Sequence, residues 1–242
     1  MKLALSAALL VIASVSSACL FSGDDKGKEV SPEEAQEIAQ RALIVLEDLP
    51  SGWVETRAEE EDDSPELDLP PDCQSFVEQG NAPGSLASAD SPDFRGPEDQ
   101  EVSSGAEVFE DEGAARQAFE DIRDFLERCR QPLRDAFTKL MEESIREEIG
   151  DQPLPDLEVE FNLDPISFPS YGHETIAMRM TFAVTSEFGS FRFFLDILGM
   201  RSDRMTGGVT YQTFEEAPDA DDEEHLMEVV EGRLEAAGEA LE

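Results

Sequence analysis

In this chain only the three cysteines and two histidines are scarce enough for their chemistry to be informative. With 57 aspartates and glutamates among 242 residues, any single acid says little, and paired carboxylates for glycosidic chemistry leave no readable signal. A Ser-His-Asp site would have to use His173 or His225. His225 falls in the first turn of an acidic helix, the setting of a solvated side chain. His173 follows Tyr171 and Gly172 at the entry to a strand, where a turn role is expected. No nucleophile elbow, H-E-x-x-H pair, phosphate loop or dinucleotide fingerprint occurs. The acidic run 219–224 lacks the spaced ligands and glycine of a calcium loop and reads as helix capping. Trp53 and Tyr171 are candidates for a pocket wall or for the edge of the core. The expectation is therefore no catalytic residue, no metal ligand and no cofactor.

The first cysteine has the clearest context. Lys2, an apolar run over residues 3–15 and the small residues Ser16, Ser17 and Ala18 precede Cys19, the layout of an export signal. A cysteine directly after Ser-Ala resembles a bacterial lipobox, with Ser16 where leucine is usual. On this reading residues 1–18 are removed, Cys19 is acylated, and residues 19–30 tether a domain spanning 31–242. The competing reading is a retained signal anchor. With Cys19 used, Cys73 and Cys129 remain as a pair, and an oxidising compartment favours a disulfide between them. Zinc is the alternative for these two, but it needs about four ligands and finds no supporting histidine spacing. The formal charge of −39 becomes −40 once Lys2 leaves with the leader, and such a surface repels nucleic acid and anionic lipid headgroups. The membrane is thus expected as a partner only through the lipid at Cys19.

Around these residues lie elements able to position them. Residues 174–214 alternate apolar and polar side chains with the period of two of half-buried strands, a β-meander with bends at 186–190 and 201–204. Ile176, Met178, Met180, Phe182 and Val184 share one face; Phe191, Phe193, Leu195 and Ile197 share the matching face of the next strand. A bend centred between Glu187 and Phe188 pairs Phe182 with Phe193, Met180 with Leu195, and Arg179 with Asp196 on the opposite face. Ser31, Pro32 and Glu34 form a capping box that opens a helix expected to end near Asp48. A short strand is expected at 53–56, loop through the acid-rich and proline-rich residues 59–71, and a second irregular segment over 81–100. Residues 106–109 are strand-like and lead through Asp111 into a helix reaching Cys129, which Pro132 is expected to break. A further helix, 133–149, stops at Gly150; a strand around 157–163 follows, and a last helix runs from about Asp222 to Leu241. The fold class is α+β: an antiparallel meander covered by amphipathic helices.

Several short motifs carry a resemblance. Leu49-Pro50-Ser51-Gly52-Trp53, then Cys73, then Ala106-Glu107-Val108-Phe109 running into an Ala-rich helix that ends at Cys129, and Gly172-His173-Glu174-Thr175 resemble the PknH-like extracellular sensor domain family. That family includes secreted bacterial lipoproteins and the outer portions of membrane kinases. The resemblance implies an antiparallel sheet with helices on one side and a cleft for a ligand. Its members often hold two disulfides, whereas this chain has cysteines for one, and no binding residue carries over. The expected function is a non-catalytic, membrane-tethered extracytoplasmic lipoprotein that binds an unknown small ligand or envelope protein. A secreted hydrolase and a structural envelope lipoprotein are the alternatives.

Overall fold

The capping box at the start of the first helix forms as its sequence requires. In the computed structural model, which describes residues 29–56, 67–78, 82–149, 158–186 and 189–241, the Glu34 N–H donates to Ser31 Oγ at 3.2 Å. The Ser31 N–H donates to the Glu34 carboxylate at 3.0 Å. Helix α1, Pro32–Arg41, ends before Ile44 and Val45, where the chain turns away instead of continuing to Asp48. Ile44 is buried and its N–H is held by Ser104 Oγ at 3.0 Å, so a contact with the sheet outweighs further helix. A short 3-10 turn, Leu46–Asp48, follows and is fixed by Arg233 to Asp48.

One antiparallel sheet contains every described strand: β1 Val54–Thr56, β2 Ser85–Asp90, β3 Asp93–Arg95, β4 Glu101–Phe109, β5 Glu158–Pro165, β6 Glu174–Ser186, β7 Gly189–Ser202 and β8 Met205–Phe214. Their order is β1-β3-β4-β8-β7-β6-β5, with β2 also on β4. The meander and its register are as the alternation predicted: Phe182 faces Phe193, Met180 faces Leu195, and Arg179 faces Asp196. Glu187 and Phe188, the centre of the bend, lie outside the described residues, as do the acidic run 59–63 and Gly150. Residues 81–100 are more regular than expected, since β2 and β3 both lie there. β2 pairs with β4 and β3 lies between β1 and β4, so tertiary pairing overrides the weak strand propensity of this polar, turn-rich sequence.

Helices cover both faces of the sheet, not one. Helix α3, Glu112–Ile149, and α2, Pro71–Glu78, pack on the face carrying Phe161, Phe182, Phe193 and Leu195. Helix α1 and α4, Ala220–Gly238, pack on the other, over Val102, Leu198, Met200, Val209 and Tyr211. The reason lies in β7, whose even positions carry Phe194, Leu198 and Met200 in addition to the apolar stripe of its odd ones. Both stripes need cover. Close approach of α4 depends on Gly207, where a Cβ would come within 2.9 Å of Leu234.

Pro132 does not break α3, which runs through it as one helix of 38 residues. The proline removes one backbone hydrogen bond and crowds the carbonyl four residues earlier. Anchors on either side hold the helix across the defect: Phe125, Cys129 and Leu133 are all buried against the sheet. Cys73 and Cys129 form a disulfide that joins α2 to this region. The helix at 71–78 begins at the last residue of the expected loop and runs through a stretch to which the sequence pattern assigns no element, although Pro71 occupies the first-turn position that prolines favour.

Candidate functional site

Four separate pieces of chain build a cleft at one end of the α4 face. The loop after the 3-10 turn supplies Leu49, Pro50 and Ser51; the segment leading into β1 supplies Trp53; the β3–β4 turn supplies Pro97 and Gln100. Tyr211 of β8 and Asp222, His225 and Leu226 of α4 complete it. Its volume is about 230 Å³, below the roughly 300–1,000 Å³ of drug-sized sites, so it suits a smaller molecule. A groove between α3 and β5 is larger, at about 440 Å³, but Arg134, Asp135, Lys139, Glu142 and Glu160 line it with long charged chains of both signs.

Each wall of the cleft has a local cause. The β3–β4 turn closes through the Gly96 N–H to the Gln100 carbonyl at 2.8 Å. Gly96 leaves room for the indole, because a Cβ there would come within 2.9 Å of Trp53 Cζ2. The Trp53 and Tyr211 rings stand 6.5 Å apart at 52°, forming an aromatic corner. Asp219 caps α4 by accepting the Asp221 N–H at 2.9 Å, and this sets Asp222 and His225, one turn apart, on the cleft side. The Tyr211 hydroxyl donates to Asp222 Oδ2 at 3.4 Å. Burial, then the neighbouring Asp222 carboxylate, push the Tyr211 phenol well up, so it remains a donor throughout the usual pH range.

Behind Tyr211 the sheet holds a buried ionic cluster. Asp196, directly opposite Tyr211 on β7, is fully buried, and Arg179 on β6 grips it through Nε at 2.7 and 3.0 Å and through an amino group. Glu223 of α4 enters the same space, 2% exposed, with Oε1 3.6 Å from the Arg179 guanidinium and without a hydrogen-bond partner on that oxygen. Two carboxyls thus face one guanidinium. Burial, followed by a hydrogen bond to Asp196 and its charge, push the Glu223 carboxyl up to about 9, with Arg179 acting weakly the other way. Glu223 is accordingly the neutral, proton-donating partner of the pair.

The structure distributes the residues singled out from sequence. Trp53 enters the cleft; Tyr171 does not, being buried beside Phe168 with its hydroxyl donating to the Glu224 carbonyl. His225 is exposed on the rim of the cleft, and His173 is turned to the β7–β8 turn, where Nδ1 accepts the Asp203 N–H at 3.5 Å. Cys19 lies outside the described residues. Among the described residues no group of three or more histidine, cysteine or acidic side chains is placed to hold a metal, and no helix is long and apolar enough to cross a membrane. Tyr211, Asp196 and Glu223 had not been singled out as site residues.

The fold and cleft define an α+β domain with an antiparallel sheet between two helical layers and an aromatic corner at one end. Among solved structures it is similar to the crystal structure of the extracellular domain of PknH from Mycobacterium tuberculosis. The two share 12% identity over 85% of this chain and 97% of that one, with a TM-score of 0.45, a weak likeness at the level of fold. No family model and no curated protein matches the chain.

Proposed function

We propose that this chain is an extracytoplasmic lipoprotein, exported by residues 1–18 and anchored at Cys19, whose α+β domain binds a small ligand without catalysis, as a sensor or carrier. The Trp53–Tyr211 cleft is the observation that carries the binding role: a preformed concavity with aromatic walls and a few convergent polar groups is the usual form of such a site. The Cys73–Cys129 disulfide supports an address outside the reducing cytoplasm, as does the leader ahead of Cys19. Anchoring follows from the cysteine after Ser-Ala, since several acyl chains hold a protein where one would not.

One observation favours a second reading. Ser51, His225 and Asp222 all line the cleft, the residue types of a hydrolytic triad. Against it, Asp222 is engaged by Tyr211, and among the described residues neither Ser51 nor His225 has a side-chain hydrogen bond that would join them.

Mass spectrometry of the full chain purified under native conditions tests the binding role, and the expected result is a small copurifying molecule whose release changes the emission of Trp53, the only tryptophan. Turnover of simple esters that disappears in both Ser51→Ala and His225→Ala would replace this reading with hydrolysis. For the anchor, Cys19→Ser is expected to move the protein from the membrane fraction to the soluble one. An unchanged distribution would refute lipidation.

A further inference from the structure

Resting on the cleft as the binding site, we propose that its ligand is a small organic cation, an ammonium group bearing alkyl substituents, seated against the Trp53–Tyr211 corner with Asp222 as its counter-charge. Three features of the cleft converge on that chemistry. The aromatic faces come first: an ammonium within about 6 Å of an indole or phenol ring is attracted by the ring's quadrupole, more so where water is excluded. At the corner formed by Trp53 and Tyr211, 6.5 Å between centroids, the half-buried indole offers its surface to a guest, and the buried phenol backs it.

Charge comes second. The cleft is lined by the Asp222 carboxylate and by no lysine or arginine, in a chain of net charge −39. An anion would meet repulsion both from the whole surface and from the site. The N-terminus of α4 acts in the opposite sense, since a helix dipole presents about half a positive charge there. Asp219 already accepts the Asp221 N–H, and Asp221 and Asp222 occupy the first turn, so the acids exceed that half charge. Third is the apolar remainder. Pro50, Pro97 and Leu226 offer carbon surface without hydrogen-bond donors, which suits alkyl groups on nitrogen better than a bare, strongly hydrated ammonium.

The Tyr211–Asp222 contact adds a positional argument. At 3.4 Å it is a long hydrogen bond, and it leaves the other carboxylate oxygen of Asp222 without a bond to Tyr211. A cation in the cleft would take up that charge without displacing the phenol. His225 lies on the rim, so a permanent positive charge introduced at that position would oppose a cationic guest.

The test uses the full chain and two probes of nearly equal shape, choline and 3,3-dimethylbutan-1-ol, in which carbon replaces the quaternary nitrogen. Emission of Trp53 and ligand-observed NMR both report binding, so substitution of the tryptophan does not end the measurement. Choline is expected to bind saturably, at least tenfold more tightly than the neutral alcohol. Asp222→Asn is expected to weaken choline about tenfold and to leave the alcohol unchanged; the residue is exposed, and equal melting temperatures would verify that the fold is intact. His225→Lys should weaken choline by a similar factor. Equal affinity for the two probes, or a choline affinity indifferent to Asp222→Asn, overturns the cation proposal while leaving the cleft as a site. If neither probe binds yet a copurifying neutral or anionic molecule responds at Trp53, the cation is likewise refuted and the binding role stands. If neither binds and nothing copurifies, both fall.

Discussion

Replacing Glu223 by Gln is expected to stabilise the protein by an amount that grows with pH. The carboxyl is 2% exposed, beside Asp196 and within 3.6 Å of Arg179, which Asp196 already holds. Its folded pKa, pushed up to about 9 from an ordinary 4.5, means that the folded state binds a proton the unfolded chain releases. The stabilisation linked to that proton is fully present below about pH 4.5 and is lost as pH rises through about 9. Each pH unit above the ordinary value costs the folded state about 1.4 kcal/mol, so the ceiling at pH 7 is about 3 kcal/mol. Arg179 and the remaining solvent return part of this, and half the ceiling, about 1.5–2 kcal/mol, is the working figure. A glutamine amide keeps the donor toward Asp196 and needs no proton. The variant should therefore match the wild type near pH 4 and melt about 5 °C higher near pH 7, given about 2–4 °C per kcal/mol at this size. Melting followed by circular dichroism at pH 4 to 9 supplies both curves, and their difference cancels the many other acids, which titrate alike in the two proteins. A variant less stable at pH 7 than at pH 4, relative to wild type, would show that Glu223 is ionised in the fold as a second partner for Arg179, and would refute the neutral pair.

Reduction of the Cys73–Cys129 bridge, which closes 56 residues of chain, is expected to cost about 4 kcal/mol in urea unfolding; a change under about 1 kcal/mol would place the reduced chain's loop already in native-like structure. Pro132→Ala restores a backbone hydrogen bond in α3 and should raise stability by about 1–3 kcal/mol. A loss instead would mean that α3 needs the proline's bend to follow the sheet. Sodium chloride at about 1 M, where the screening length falls to roughly 3 Å, should raise the melting temperature of a chain with only 18 lysines and arginines against 57 acids. A flat or falling curve would show that local pairing already offsets the net charge.

The parts of this molecule legible in its sequence are those set by a local period. In β6 and β7, parity excludes a one-residue slip and the position of the bend selects among the registers that remain, and Phe182 does face Phe193. The capping box of α1 is equally local. The end of α1, the passage of α3 through Pro132 and the strands β2 and β3 were not legible. In each, a tertiary contact outweighs a local preference of about 1–3 kcal/mol. The cleft escaped for another reason: its walls come from residues 49–53, 97–100, 211 and 222–226, and no spacing along the chain records that they meet. Of these residues the sequence suggests only Trp53 as a pocket wall, and His225 reads there as a solvated side chain.

The buried cluster, by contrast, left a signal that a period can carry. Extending the apolar stripe of α4, Leu226, Val230 and Leu234, one turn toward its start lands on Glu223. Extending the even stripe of β7, Phe194, Leu198 and Met200, passes through Asp196. An acid sitting on an apolar stripe must be buried with its helix or strand, and burial demands a proton or a cation. Arg179, opposite Asp196 in the register that the bend and parity together select, answers one of the two acids; the other keeps its proton. Where two apolar stripes are each interrupted once by an acid, the interruptions are the positions to bring together first.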